Sequence, residues 1–343
     1  MSCEEARGRL LVPVLVDGSG PYPFLLDTCL RMPIIERDLA AKLYAGDLPV
    51  NGTVIHLGQL QFGGFNADAL DAILAGLGEL SARLGRELGG ILPAHQPGCE
   101  VSLDFVAKQA RWRPMEKAIL QTAQRDTVAM TLDAAGAPVV EAALGGSFMR
   151  RLRVDSASGG GLALTARTIA ETGIAVGDAP AMVVPLSDGV VLRQCRVSAI
   201  RIADTPLERP LCLVLDNGET DRLGVEVLRR FRVTLNYEAG LARFEVLAKG
   251  DDGGTGPLVT YGLVLQFLRG GLWEVAVAEN SPAYQAGLRT GDALLEINGA
   301  SVADARAESI EEMLRPDTGY SVTLTCQRGD ARISAAVSPA PMI

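Results

Sequence analysis

Short apolar runs broken by Gly, Asp and Asn recur along this chain, as in VIHLGQLQFGG (54–64) and VVLRQCRVSAIRIAD (190–204). This is the period-two grammar of strands and hairpins. Two stretches follow one script. LVPVLVDGSG (11–20) and PVVEAALGGS (138–147) each read as a strand and a Gly turn, followed by Phe24-Leu-Leu-Asp-Thr28 and Leu152-Arg-Val-Asp-Ser156. A helix-like segment comes next in each, 36–43 and 165–172. Then come apolar-Gly segments, Leu88-Gly-Gly-Ile-Leu92 and Leu223-Gly-Val-Glu-Val227, and finally Val101-Ser-Leu-Asp-Phe105 and Val233-Thr-Leu-Asn-Tyr237. Asp27 and Asp155 are 128 residues apart, and Val101 and Val233 are 132 apart. Near-equal offsets at separate landmarks mark an internal duplication. The pattern predicts a mainly β fold with two pseudo-symmetric lobes, 8–115 and 126–247.

Residues 248–257 are too rich in Gly and Asp to bury much and read as a linker. Beyond them, over 258–340, the pattern changes: two strands (262–267 and 273–277), a short helix closed by Gly287, a strand ending in Asn298-Gly299, a helix near 305–314 and a last strand pair around Val322 and Ile333. This segment is expected to be a small α+β domain.

Composition removes several function classes. A net charge of -9 with scattered Lys and Arg argues against a nucleic-acid surface. The six cysteines include no CxxC pair, so neither a zinc site nor a disulfide scaffold is expected, and they read as reduced. His56 and His95 are the two histidines, too few to favour a Ser-His or Cys-His scheme; His95 is expected at the surface and His56 on the exposed face of a hairpin. No run approaches the roughly 18 apolar residues of a spanning helix. The chain as written reads as cytoplasmic, and as periplasmic if a signal peptide has been removed.

The string ENSPAYQAGLRTGDALLEING (279–299) resembles PDZ domains of the bacterial type. The resemblance implies a groove in which Thr260-Tyr261-Gly262-Leu263 offers amides to a peptide's terminal carboxylate. The peptide then adds as a strand beside Gly262, Leu263, Val264 and Leu265, against a helix carrying Ile310 and Met313. The alternative is that the protein's own chain closes this groove.

The segment PYPFLLDTCLRMPIIERDLAAKL (21–43) and its second copy RLRVDSASGGGLALT (151–165) resemble the active-site loops of retropepsin- and pepsin-like aspartic proteases. The resemblance implies a dyad of Asp27 and Asp155 acting on water without metal or organic cofactor, and it assigns Thr28 and Ser156 to tie the two loops together. The partner is then a peptide or protein substrate, and a lobe duplicated in one chain lets a monomer build the site. Cys29 and Ala157 stand where the family has Gly, so the Cβ is expected to clash or to force a different backbone and mis-set the dyad. Arg31 is placed to pair with a carboxylate, and Cys29 reads as a buried structural thiol. Two functions follow: an aspartic-type endopeptidase, or a catalytically silent protein that keeps cleft and groove as docking surfaces.

Overall fold

The structure, a computed structural model, describes all residues except 45–47, 121, 123–124, 175–181, 186–190, 217, 248–258, 269–271, 304, 306, 316–318 and 343. The expected linker, 248–257, lies outside the described residues. Strands dominate, at 52% of residues against 12% in helices, so the protein is mainly β.

Each duplicated landmark becomes a structural device. The Arg9–Val16 and Ser19–Asp27 strands form an antiparallel hairpin, as do Pro138–Leu144 and Phe148–Val154. Both hairpins lead into an aspartate at the end of the second strand. A short strand then runs parallel to each: Gly90–Pro93 beside Ser19–Asp27, and Arg222–Leu223 beside Phe148–Val154. Each also pairs antiparallel with the strand after the aspartate loop, Ile34–Glu36 or Leu162–Thr165. Inserting a strand between two others forces close backbone approach, which explains the glycines of the apolar-Gly segments. A Cβ at Gly90 would collide with the Ile34 carbonyl and the Phe24 ring, and one at Gly224 with the Gly160 carbonyl.

The short helices form where the pattern placed them. Arg37–Leu43 is capped by the Glu36 carboxylate, which accepts from Leu39 N at 3.0 Å, and Ala166–Thr172 by Thr165, which accepts from Thr168 N at 3.2 Å.

The last repeat pair joins the lobes. Cys99–Asp104 pairs antiparallel with Phe231–Asn236, so that Ser102 faces Thr234, its own equivalent, with the hydroxyls 2.8 Å apart. A residue paired with its repeat equivalent lies on the pseudo-twofold axis. The polar position two places on is explained as well: Asp104 Oδ1 accepts from Ala107 N at 2.8 Å, and Asn236 Oδ1 from Ala239 N at 2.9 Å, each closing the turn after its strand. One continuous apolar core, from Leu10 and Phe24 to Phe231 and Phe244, runs through both lobes.

The C-terminal segment has a separate core around Trp273, Val275, Ile297, Leu324 and Cys326. Its sheet orders Leu263–Leu268, Leu272–Val277, Asp292–Ile297, Val322–Arg328 and Ala331–Val337, with helices Pro282–Gln285 and Ala307–Met313 between strands. It leans on the second lobe, where Val184 packs with Ala276 and Ala278 and the Thr290 hydroxyl donates to the Pro185 carbonyl at 3.1 Å.

Candidate active site

Asp27 and Asp155 end equivalent strands on either side of the pseudo-twofold, and the loops after them lock together through their hydroxyl residues. The Thr28 amide donates to Ser156 Oγ at 3.0 Å and the Ser156 amide to Thr28 Oγ1 at 3.0 Å. In return, Thr28 Oγ1 donates to the Val154 carbonyl at 2.5 Å and Ser156 Oγ to the Leu26 carbonyl at 2.8 Å. Both residues are buried, so four hydrogen bonds in a dry interface fix one loop against the other.

This grip brings the aspartates together. Ligand-type atoms of Asp27, Cys29 and Asp155 all lie within 4.8 Å of one another. One water at ordinary hydrogen-bond length, about 2.8 Å from each carboxylate, spans such a gap.

The expectation that Cβ atoms at 29 and 157 would displace the loops is not met. The Cys29 amide donates to Asp27 Oδ1 at 2.6 Å, and Asp155 Oδ1 accepts from Ala157 N at 3.1 Å and Ser158 N at 2.9 Å. Neither Cys29 nor Ala157 adopts positive φ, so an L-residue fits without strain.

Among the described residues Arg31 pairs with no carboxylate. It crosses to the second lobe and lies over Gly136, where a Cβ would collide with its guanidinium. Among the described residues neither dyad aspartate has an ion-pair partner. Burial, the leading cause, pushes the Asp27 carboxyl up to about 6; the Cys29 amide opposes the shift and the Asp155 charge adds to it.

Cys29 is the one cysteine of the six that is not buried, so it is not the core thiol expected. Its Sγ approaches the Val154 carbonyl at 3.6 Å. Burial and then the charges of Asp155 and Asp27 push its thiol well above the ordinary range, which keeps it protonated and a poor nucleophile.

Three contributors lie outside the two aspartate motifs. Arg9 Nε donates to the Ala157 carbonyl at 2.6 Å, tying the second loop to the first lobe. The Tyr237 hydroxyl donates to the Thr28 carbonyl at 3.4 Å. His95, expected at the surface, is half-buried and stacked on Tyr237 with ring centroids 4.2 Å apart; burial and then the charge of Arg31 lower its pKa, against a smaller opposing effect of Glu238. Each is brought in by a long-range contact that no local motif encodes. His56 lies on the exposed hairpin face, 3.2 Å from Asp71.

In the C-terminal segment, Tyr261 is buried and its hydroxyl donates to the Tyr320 carbonyl at 3.0 Å. Gly262 has φ of 73°, and a Cβ there would collide with Ser281. Leu263 and Leu265 pack on the local core with buried Ile310, whereas Val264 turns the other way, into the contact with the second lobe. Met313 is 39% exposed at the end of its helix. Among the described residues Leu263–Leu268 stands at the end of its sheet and pairs with one strand, Leu272–Val277.

No curated protein matches the chain. Among solved structures, a retropepsin-like aspartic protease from Rickettsia conorii is similar at 15% identity and a TM-score of 0.28, over 36% of this chain and 91% of that one. A PDZ domain protein from Parabacteroides distasonis is similar at 20% identity and a TM-score of 0.23, over 25% of this chain and 21% of that one. The HtrA3 PDZ domain bound to a phage-derived ligand gives 20% identity and a TM-score of 0.22, over 25% and 89%. A family profile described as PDZ domain matches residues 275–328, and this part of the chain is a PDZ domain, a peptide-recognition module.

Proposed function

We propose that this protein is an aspartic-type endopeptidase in which Asp27 and Asp155 act together on one water, and in which the PDZ domain captures the peptide or protein to be cut. The observation that carries this reading is the reciprocal grip of Thr28 and Ser156, which sets two carboxyl groups within 4.8 Å across a pseudo-twofold. Two carboxyls that close resist ionising together, and the Asp27 carboxyl, raised to about 6, is the one that stays protonated in mildly acidic solution. Asp155 then takes a proton from the water as it attacks the peptide carbonyl, and Asp27 gives its proton to the carbonyl oxygen. For the PDZ groove, the supporting feature is the position of Leu263–Leu268 at the end of its sheet, with Leu263 and Leu265 packed on the core that holds Ile310, where an extended peptide can add as a strand.

Cleavage of a peptide library between pH 4 and 7 is the test, with the parent set against Asp155→Asn. Equal turnover in the two ends the protease reading. A second reading, a silent protein that uses cleft and groove for docking, is favoured by Cys29, whose thiol crowds the space the water must fill. Peptide binding without cleavage by the parent would establish it. Titration with peptides bearing free and amidated C-termini tests terminal capture, and equal affinity for the two would exclude it.

A further inference from the structure

We propose that Asp27, Cys29 and Asp155 form a binding site for a thiophilic divalent cation, Zn²⁺ by chemical class, with the fourth position left to water. Three side chains of metal-ligating type converge from two lobes, with ligand atoms all within 4.8 Å of one another. Tetrahedral zinc at about 2.0–2.3 Å from O and S ligands needs these atoms only about 1 Å closer.

The carboxylates are already oriented for the task. Each commits one oxygen to backbone amides: Asp27 Oδ1 to Cys29 N, and Asp155 Oδ1 to Ala157 N and Ser158 N. The second oxygen of each accepts no hydrogen bond among the described residues. Amide bonds of this kind hold metal-ligating carboxylates in place. Among the described residues no cation neutralises the pair: Arg31 lies over Gly136, and Arg153, whose charge reaches Cys29, is bound to Asp133. Two carboxyls and a thiol, all half-buried, thus face one another with no cation bonded to them among the described residues. A thiolate among the donors selects zinc over magnesium or calcium.

Binding displaces the thiol proton and the proton of the dyad, both released to buffer. With each carboxylate ligated, the pair holds no proton to give a carbonyl oxygen, so occupancy reversibly stops hydrolysis. That consequence rests on the endopeptidase reading; the site itself does not.

The experiment uses the full chain stripped with a chelator and titrated with Zn²⁺ by calorimetry and with Co²⁺ by absorption. One ion per chain and a sulfur-to-cobalt charge-transfer band are expected. Cys29→Ser should remove the band and weaken zinc by more than the roughly 10–100-fold that losing an outer-shell partner costs, and Asp155→Asn should weaken it too. The cobalt spectrum of the parent needs no variant and reports the thiolate ligand directly. Zinc affinity unchanged by Cys29→Ser, or a cobalt spectrum of the parent without the thiolate band, overturns the site. These readouts are independent of turnover, so an inert dyad and an absent metal site are told apart.

Discussion

The two aspartate loops follow equivalent strands and differ in how they hold their acid. The Asp155 loop gives its carboxylate two backbone amides, from Ala157 and Ser158, while the Asp27 loop gives one, from Cys29. Beyond the aspartate, the second loop continues through three small residues and three glycines, whereas the first carries Cys29, Leu30, Arg31 and Met32. A bulkier loop excludes more water, and burial is the leading cause of the raised Asp27 carboxyl. The side chains after each acid therefore make the surroundings of Asp27 and Asp155 unequal on equivalent strands.

The largest effect expected from this asymmetry is on turnover. On the proposed mechanism Asp155→Asn removes the general base and should lower kcat by about 10²–10⁴, the usual worth of such a group. With the parent, turnover should fall as pH rises through about 6, where Asp27 loses its proton. Cys29→Gly opens the first loop to water and should move that limb to lower pH. A limb that stays in place, measured as kcat against pH, would break the link between loop bulk and the Asp27 proton.

Stability reports on the grip below the carboxylates. Thr28→Val removes a hydroxyl that donates to the Val154 carbonyl and accepts from the Ser156 amide, leaving the buried amide without its partner and the carbonyl with only the weak contact of the Cys29 thiol. A cost of about 2–4 kcal/mol is expected by urea denaturation, since each stranded buried group costs about 1–3 kcal/mol. Ser156→Ala strands the Leu26 carbonyl and the Thr28 amide in the same way and should cost about as much. Unequal costs would mean that one lobe supports the grip more than the other.

Asp27 gives a pH-dependent effect of somewhat smaller size. Its carboxyl is raised in the fold from 3.8 to about 6, so folding disfavours the charged form. Below about pH 4 the group is protonated folded and unfolded, and contributes no penalty. As pH rises from about 4 to about 6 the unfolded chain ionises first, and the fold loses stability, on the order of 2–3 kcal/mol by pH 7. Asp27→Asn cannot ionise, so it should match the parent near pH 4 and exceed it by that amount at pH 7. An advantage independent of pH would place the cause in packing instead.

The duplication is legible because its landmarks are local and chemically forced. Gly90 and Gly224 answer to close backbone approach, Asp104 and Asn236 to a turn, and Thr28 and Ser156 to the grip between loops. Contacts made across the lobes leave no such trace. The sequence places Arg31 beside the acids, and only the folded chain turns it onto Gly136. The effect of Cys29 is hidden for a related reason: its backbone is unstrained, and the consequence of its Cβ lies in where Sγ points. His95 reads along the chain as one residue of a Pro-flanked loop, because its stacking partner, Tyr237, comes from the other repeat.

A second hydroxyl pair on the same axis calibrates the first. Ser102 and Thr234 meet at 2.8 Å in the sheet that joins the lobes. The Arg113 guanidinium also donates to Ser102 Oγ, at 3.4 Å, but among the described residues no main-chain carbonyl or amide depends on either hydroxyl. Removing both with Ser102→Ala and Thr234→Val leaves no stranded backbone group, so the double variant should be nearly neutral, and the coupling in a double-mutant cycle about 1 kcal/mol. Thr28 and Ser156 each serve backbone groups of the opposite loop, and their cycle should give a larger coupling. Equal coupling at the two sites would mean that the grip near the aspartates is ordinary lobe packing and not a device for positioning the dyad.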